Sequence, residues 1–465
     1  MEDKRTIVVI GGGLAGCSAA LALARSGARV TLVEAKSRLG GRTGSYTDQA
    51  SGHTIDYCQH VGMACCTSLR QLIEWLGQTR LWHVERELYF YGPTGQRRTL
   101  RALPLLPAPA HLCAWLLRWP GLTWSDRIGI ARTMLALNRV PVVDPSSLDH
   151  WDQQSALQWL RAHAQSSTAL DRFWSTIVVS ALGEELSRVG LLAMAKVFQD
   201  GFLRSRDAFH LLLPQRPLDE LFGSRFQSAL VDAGVQVITG TSVIGLDWEG
   251  PTCRSLNLSD GRCLRAEEVV IAVPWHCVER LVGNCPDSDV RWLGKCASQL
   301  LPSPISGVHT WWDRPWLPTP HAVLVDRLCQ WVFPQTRPEP QPASDAEQYY
   351  QIVISASRML PRGDSQAVKS LIEADLRAVF PEARSAKLLR IKVVTDPQAV
   401  FSVAPGTTTL RPIMGSRLGN LGFAGDWVRS GWPATMEGAI RSGFAAAEAI
   451  VKTSRSTDRD NAFSL

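Results

Sequence analysis

Apolar β-branched runs alternate with helically spaced segments along this chain, and that alternation predicts an α/β fold. Ile7-Val8-Val9-Ile10 reads as a strand buried on both faces. It breaks at Gly11, Gly12 and Gly13, a helical pattern covers residues 18–26, and Gly27 stops it. A second apolar strand, residues 29–33, ends at Glu34. Residues 146–197 read as helical, with clear helical spacing in 155–160 and 170–182 and punctuation at Gly183 and Gly190. A helix starts within 214–226. Residues 235–246 form strand, turn and strand, the second strand expected to return to the first domain. Residues 257–265 read as a hairpin around Asp260-Gly261, and 268–273 as a buried strand closed by Pro274. Strands follow at 301–316, 349–355 and 389–394, with an amphipathic helix at 366–380 stopped by Pro381. Residues 337–344 are proline-rich and polar and read as a solvated loop. A last short strand ends at Gly425-Asp426, and after a Trp/Gly/Pro turn a helix covers 434–451. No internal repeats are evident.

The first strand, turn and helix carry chemistry. Gly11, Gly13 and Gly16 give G-x-G-x-x-G. Gly11 permits the tight turn, Gly13 lets backbone approach a pyrophosphate, and Gly16 lets helix and strand pack closely. The phosphates then sit on a helix N-terminus, where free N–H groups and the dipole favour anions. Glu34 stands where a ribose hydroxyl is bound, and it would repel a phosphorylated ribose. The nucleotide is therefore FAD or NAD, not NADP. Leu39-Gly40-Gly41-Arg42-Thr43 separates the two. A second glycine pair with an arginine suits a second approach to the diphosphate, which favours FAD. Asp426, at a strand end, suits ribityl hydroxyls, and the helix after it can stabilise negative charge on a reduced flavin.

Composition narrows the classes. A chain of 465 residues with 45% hydrophobic content calls for two or three globular domains. The net charge of +6 is spread out, which argues against nucleic acid and suits an anionic membrane surface. The 11 cysteines include no C-x-x-C, and Cys65-Cys66 lacks metal-ligand spacing, so reduced thiols and no metal are expected. The first strand leaves no room for a signal peptide, and no apolar run reaches the ~18 residues of a spanning helix. A cytoplasmic protein is expected, at most peripheral on the inner face of the cytoplasmic membrane.

Two segments carry open alternatives. Asp56, Gln59 and His60 sit on a predicted loop, either lining the flavin or capping the helix that starts at Thr67. Residues 103–137 interleave Trp115, Trp119 and Trp124 with Arg118, Arg127 and Arg132, broken by prolines. They read either as interfacial membrane helices or as helices packed inward. The chain's 17 tryptophans suit the walls of a large apolar ligand site.

GGGLAG with Glu34, LGGRT, and GFAGDW with PATMEGAIRSG together resemble the superfamily of FAD-dependent amine oxidases and carotenoid desaturases. The resemblance spans the chain and is strongest at its ends. It implies a discontinuous, Rossmann-like FAD-binding domain (1–62, 205–285 and 390–452) with an inserted α+β substrate and membrane-facing domain (63–204 and 286–389). Residues 453–465 are expected to form a flexible tail. It implies diphosphate contacts from Gly13, Gly16 and Arg42, ribose at Glu34, and adenine near Val243. Flavin contacts fall near Gly425, Asp426 and Met436. Leu14, Ala15, Ala35, Gly41, Gln59, Ala434 and Thr435 belong to the same envelope. YCQHVGMACCTSL and DWVRSGWPATMEGAIRSG are further similar to the hydroxysqualene dehydroxylases, which reduce hydroxysqualene to squalene with FADH2 and release water. That resemblance implies an apolar isoprenoid substrate and leaves room for an electron-donor partner. A desaturase running the opposite way is the rival, and a non-catalytic lipid-binding flavoprotein is a more distant one. Amine oxidases usually carry a lysine near the flavin and an aromatic cage. Here those positions are Gly307, Arg411 and Thr435, against an amine substrate. His60, cationic near neutral pH, and Asp56 are the candidate acids for the leaving hydroxyl. A structural His60 bonded to backbone is the alternative.

Overall fold

The computed structural model describes residues 5–49, 52, 54–142, 148–334, 347–361 and 363–462. The loop expected at 337–344 lies outside them. A six-stranded sheet runs in the order Gln236–Ile238, Arg29–Val33, Thr6–Ile10, Glu268–Ile271, Leu421–Phe423, Arg417–Leu418. All pairs are parallel except the last. Ile7 to Ile10 are buried, as a central parallel strand covered on both faces requires. Sequence-remote segments thus build one sheet, and the nucleotide-binding domain is discontinuous as expected. One detail differs: of the pair in 235–246, only the first strand joins this sheet. The second, Val243–Glu249, starts a three-stranded antiparallel sheet with Thr252–Leu258 and Cys263–Arg265.

The helix Leu14–Arg25 packs against the last described helix, Met436–Ala462, which extends into the region expected as a flexible tail; residues 463–465 lie outside the described residues. Contact between them is backbone to backbone. A Cβ on Gly443 would stand 2.2 Å from the Ala15 carbonyl oxygen, and one on Gly16 would stand 1.9 Å from that of Gly11.

A second, seven-stranded sheet belongs to the insert. Its order is Leu388–Phe401, Pro302–Trp312, Gln348–Ser355, Trp331–Pro334, Ala322–Leu324, Leu88–Tyr91, Arg97–Leu100. The strand expected at 389–394 continues to Phe401. The register shifts beside Asp396-Pro397, and pairing resumes at Val400 opposite Ser303. The return to the nucleotide domain therefore begins after Phe401, not at residue 390. Gly62–Met63, Leu211–Pro214 and Trp82–Glu85 form a small sheet that ties the two domains together.

Helices between residues 113 and 198 cover the insert. Trp115 and Trp119 are buried against Phe90 at 5.7 and 4.7 Å, so these two pack inward. Trp124 is 67% exposed. Among the described residues, no helix is long and apolar enough to cross a membrane.

Because the atom facing Gly443 is backbone, it has no rotamer by which to yield. Gly443→Ala is expected to cost about 1–3 kcal/mol. The measurement is urea unfolding, with a lower midpoint at unchanged slope.

Candidate functional site

Four strand ends meet at the carboxyl edge of the six-stranded sheet, the edge at which open parallel sheets bind ligands. They deliver Gly11, Glu34, Ala272 and Gly425-Asp426. Gly11 has φ +106°, and a Cβ there would stand 2.6 Å from the Ala272 carbonyl oxygen, so the turn admits only glycine. Gly13 caps Leu14–Arg25 with no side chain, leaving the first turn at Leu14 and Ala15 uncapped. The Leu39–Thr43 motif lies on this turn: Gly40 N–H donates to Gly12 O at 2.8 Å, and a Cβ on Gly41 would stand 3.0 Å from Gly13 Cα.

Glu34 accepts from the Gly12 and Lys36 N–H groups, at 2.6 and 2.8 Å. The Gly240–Thr241 segment bonds across to Lys36 and Glu34, and Val243, two residues on, is buried. Arg42 donates Nη2 to Asp426 Oδ1 at 2.7 Å and Nη1 to Ala399 O at 2.6 Å. It also lies over the Trp275 ring. These features fit FAD: a glycine floor, an uncapped helix start for phosphate, a carboxylate with acceptor capacity for ribose, and a guanidinium between the two chain ends.

The loop after Asp426 is held by a buried arginine. Arg411 donates to the carbonyls of Asp426, Trp427, Val428 and Trp432. Burial lowers its pKa to about 10, and it stays cationic at neutral pH. The residue at an expected cage position therefore faces backbone. Thr435 Oγ1 accepts from Gly438 N–H at 3.1 Å, capping the helix that begins at Met436 just after Ala434. Glu437 is buried and accepts from the Ser68 and Leu69 N–H groups at 3.1 and 2.9 Å. It caps the helix Thr67–Trp75, a role the Asp56–His60 loop does not fill. Sequence reasoning missed Glu437; the signal was a helix opening at Cys66 with no capping side chain of its own.

The two candidate acids are placed differently. Asp56 is buried, its Oδ1 accepting from Ser45 Oγ at 2.6 Å and Leu218 N–H at 2.9 Å. The carboxylate ties Ser45 to the Leu218 turn, and burial raises its pKa to about 6. His60 Nδ1 is 3.0 Å from Cys58 O. A carbonyl only accepts, so Nδ1 carries hydrogen and Nε2 of the neutral ring carries the lone pair. Burial, opposed by that bond and helped by the Arg42 charge, lowers the His60 pKa. The resting ring thus favours the neutral form. Gln59 Nε2 donates to His60 O at 3.3 Å. Gly307 lies flush against this loop: a Cβ would stand 2.4 Å from Tyr57 O.

Two outcomes are expected. Arg411→Met leaves four buried carbonyls short of a donor and costs about 3 kcal/mol or more, read as a lower melting temperature and lost flavin absorbance. For Asp56, the folded pKa of about 6 exceeds the model-compound 3.8. Folding takes up a proton between those values, so this group's contribution falls as pH rises through the window. Ionisation above it costs on the order of 3 kcal/mol. Asp56→Asn keeps the acceptor and removes that slope, measured as a flatter pH dependence of the urea midpoint.

The flavin containing amine oxidoreductase model matches residues 14–451. The hydroxysqualene dehydroxylase of Zymomonas mobilis is 25% identical over 450 residues, covering 95% of this chain and 97% of the relative. The 15-cis-phytoene desaturase of Solanum lycopersicum is 26% identical over 471 residues, covering 96% and 77%. Among solved structures, putrescine oxidase superposes with a TM-score of 0.72 at 16% identity, covering 97% of this chain and 99% of that one. Cyclohexylamine oxidase from Brevibacterium oxydans superposes at 0.71 and 20%, covering 97% and 100%. These two share the fold. The glycine turn, Glu34, Arg42 and Asp426 at one sheet edge, with a family match over nearly the whole length, make this chain a member of the flavin-containing amine oxidoreductase family and an FAD-dependent oxidoreductase.

Proposed function

We propose that the protein acts on an apolar isoprenoid polyene, and that its reaction is the reductive dehydroxylation of hydroxysqualene to squalene. The observation that carries the reading is the packing at Gly307. The strand there meets Tyr57 and Cys58 with no room for a side chain, so the lysine implied for amine oxidases has no place. Arg411 is likewise committed to backbone carbonyls. The Gln59-His60 pair on the facing loop supports this reaction, while the dehydroxylase and desaturase relatives cover this chain alike.

FAD supplies the hydride chemistry when bound. The net change replaces an allylic hydroxyl by hydrogen and releases water, so a proton must reach the leaving oxygen. An electron donor outside the chain's own motifs recharges the cofactor. His60 is the proton source in this reading. Its lowered pKa makes the protonated ring a stronger acid than free imidazole.

One observation favours a second reading, polyene desaturation. The neutral His60 ring presents Nε2 as an acceptor, as a base would. The two readings differ in sign. An acid role makes the rate rise as pH falls through the His60 pKa, below 6.5; a base role makes it rise as pH climbs above it.

The test is anaerobic. Photoreduced holoenzyme mixed with hydroxysqualene should reoxidise its flavin and yield squalene, and His60→Ala should keep FAD while losing roughly 10²-fold or more in rate. Flavin reduction by phytoene or squalene, with no reaction toward hydroxysqualene, would reverse the assignment.

A further inference from the structure

We propose that the outward face of the helix Trp124–Leu137 docks the protein on an anionic membrane surface. The proposal does not depend on the direction of the flavin reaction. This helix is apolar on two opposite sides. Ile130, Met134 and Leu137 face the core, at 0%, 9% and 0% exposure. Trp124, Ile128 and Leu135 face out, at 67%, 52% and 59%. Their spacings, with the exposed Ala131 between, repeat every three or four residues and draw one line along the helix. A surface helix of a globular protein is normally polar on that side. Single exposed apolar residues are ordinary; a continuous line of them is not. Leu105 and Leu117, in the segments leading into the helix, are likewise exposed, at 93% and 49%.

The line is held in place. A Thr123–Asp126 capping box fixes the helix start. Arg127 lies 5.4 Å from the Trp124 ring and donates to Trp119 O at 3.1 Å and to Leu122 O. The guanidinium thereby supports the indole at the helix's outer edge.

Charge identifies the occupant. Residues 97–139 contain seven arginines and a single acid, Asp126. Asp126 is buried and accepts from Thr123 and Ser166, so the stretch stays strongly basic with its one carboxylate turned inward. Arg132 on the helix, Arg139 just past its end and Arg118 in the segment before it are exposed. Tryptophan and aliphatic side chains beside arginines suit the boundary between acyl chains and anionic headgroups. A protein partner's apolar groove would not call for so one-sided a charge.

The experiment is co-sedimentation of holoenzyme with vesicles of phosphatidylcholine alone or mixed with phosphatidylglycerol. Binding to the mixed vesicles is expected, weakened but not abolished by high salt. The triple variant Trp124→Ser/Ile128→Ser/Leu135→Ser should lose about tenfold or more in partitioning, with melting temperature and flavin absorbance unchanged. Arg132→Glu alone should lose roughly fivefold or more on the mixed vesicles. Trp292→Ser, removing an exposed tryptophan (63%) on another helix, should change nothing. Equal binding by wild type, triple variant and Arg132→Glu would overturn the proposal. So would a triple variant that turns an oligomer into a monomer while vesicle binding stays the same; the face would then belong to a second copy.

Discussion

The structure depends on bringing two remote stretches of chain to backbone contact. Arg42 and Asp426 are 384 residues apart and form a 2.7 Å ion pair at the sheet's carboxyl edge. The same meeting recurs between helices, where Gly443 lies against Ala15 with no space for a methyl group. Glycine weakens an isolated helix, by roughly 1 kcal/mol relative to alanine. Here the loss is offset by a separation no larger residue permits, and that separation sets where Asp426 stands relative to Glu34 and Arg42.

Much of this was legible in the chain. Ile7 to Ile10, the glycine turn and Glu34 form one local unit with its own periodicity, so strand, turn and ligand edge follow from spacing alone. Arg42 and Asp426 were separately readable as cofactor residues. That they bond each other was not, because nothing local encodes a partner hundreds of residues away. The strand Leu388–Phe401 runs past the 389–394 that its apolar run marks, because the register shift that carries it beyond Pro397 is a property of the paired strand. Trp115, Trp119 and Trp124 look alike in sequence. Only packing against Phe90 separates the two buried ones from the exposed third.

Buried charge organises the site more than its chemistry does. Arg411 and Glu437 hold loops through backbone groups, the first by donating to four carbonyls and the second by accepting from two N–H groups. Asp56 does the same between Ser45 and Leu218. Ionisable residues in a cleft invite catalytic assignment. In these three the bonding partners are main chain or a structural hydroxyl, and position is the product. His60 differs: one nitrogen is committed and the other is left with a lone pair.

The pairing of Arg42 with Asp426 also sets an order of events during synthesis. At typical ribosomal rates of about 5–20 residues per second, Arg42 waits roughly 20–80 s before its partner is made. The Leu421–Phe423 strand and the Met436–Ala462 helix are made long after the glycine turn. Until then the nascent protein holds half a cofactor cradle and an uncovered helix face at Ala15. A cradle built from both halves therefore exists only once the chain has been made past Asp426.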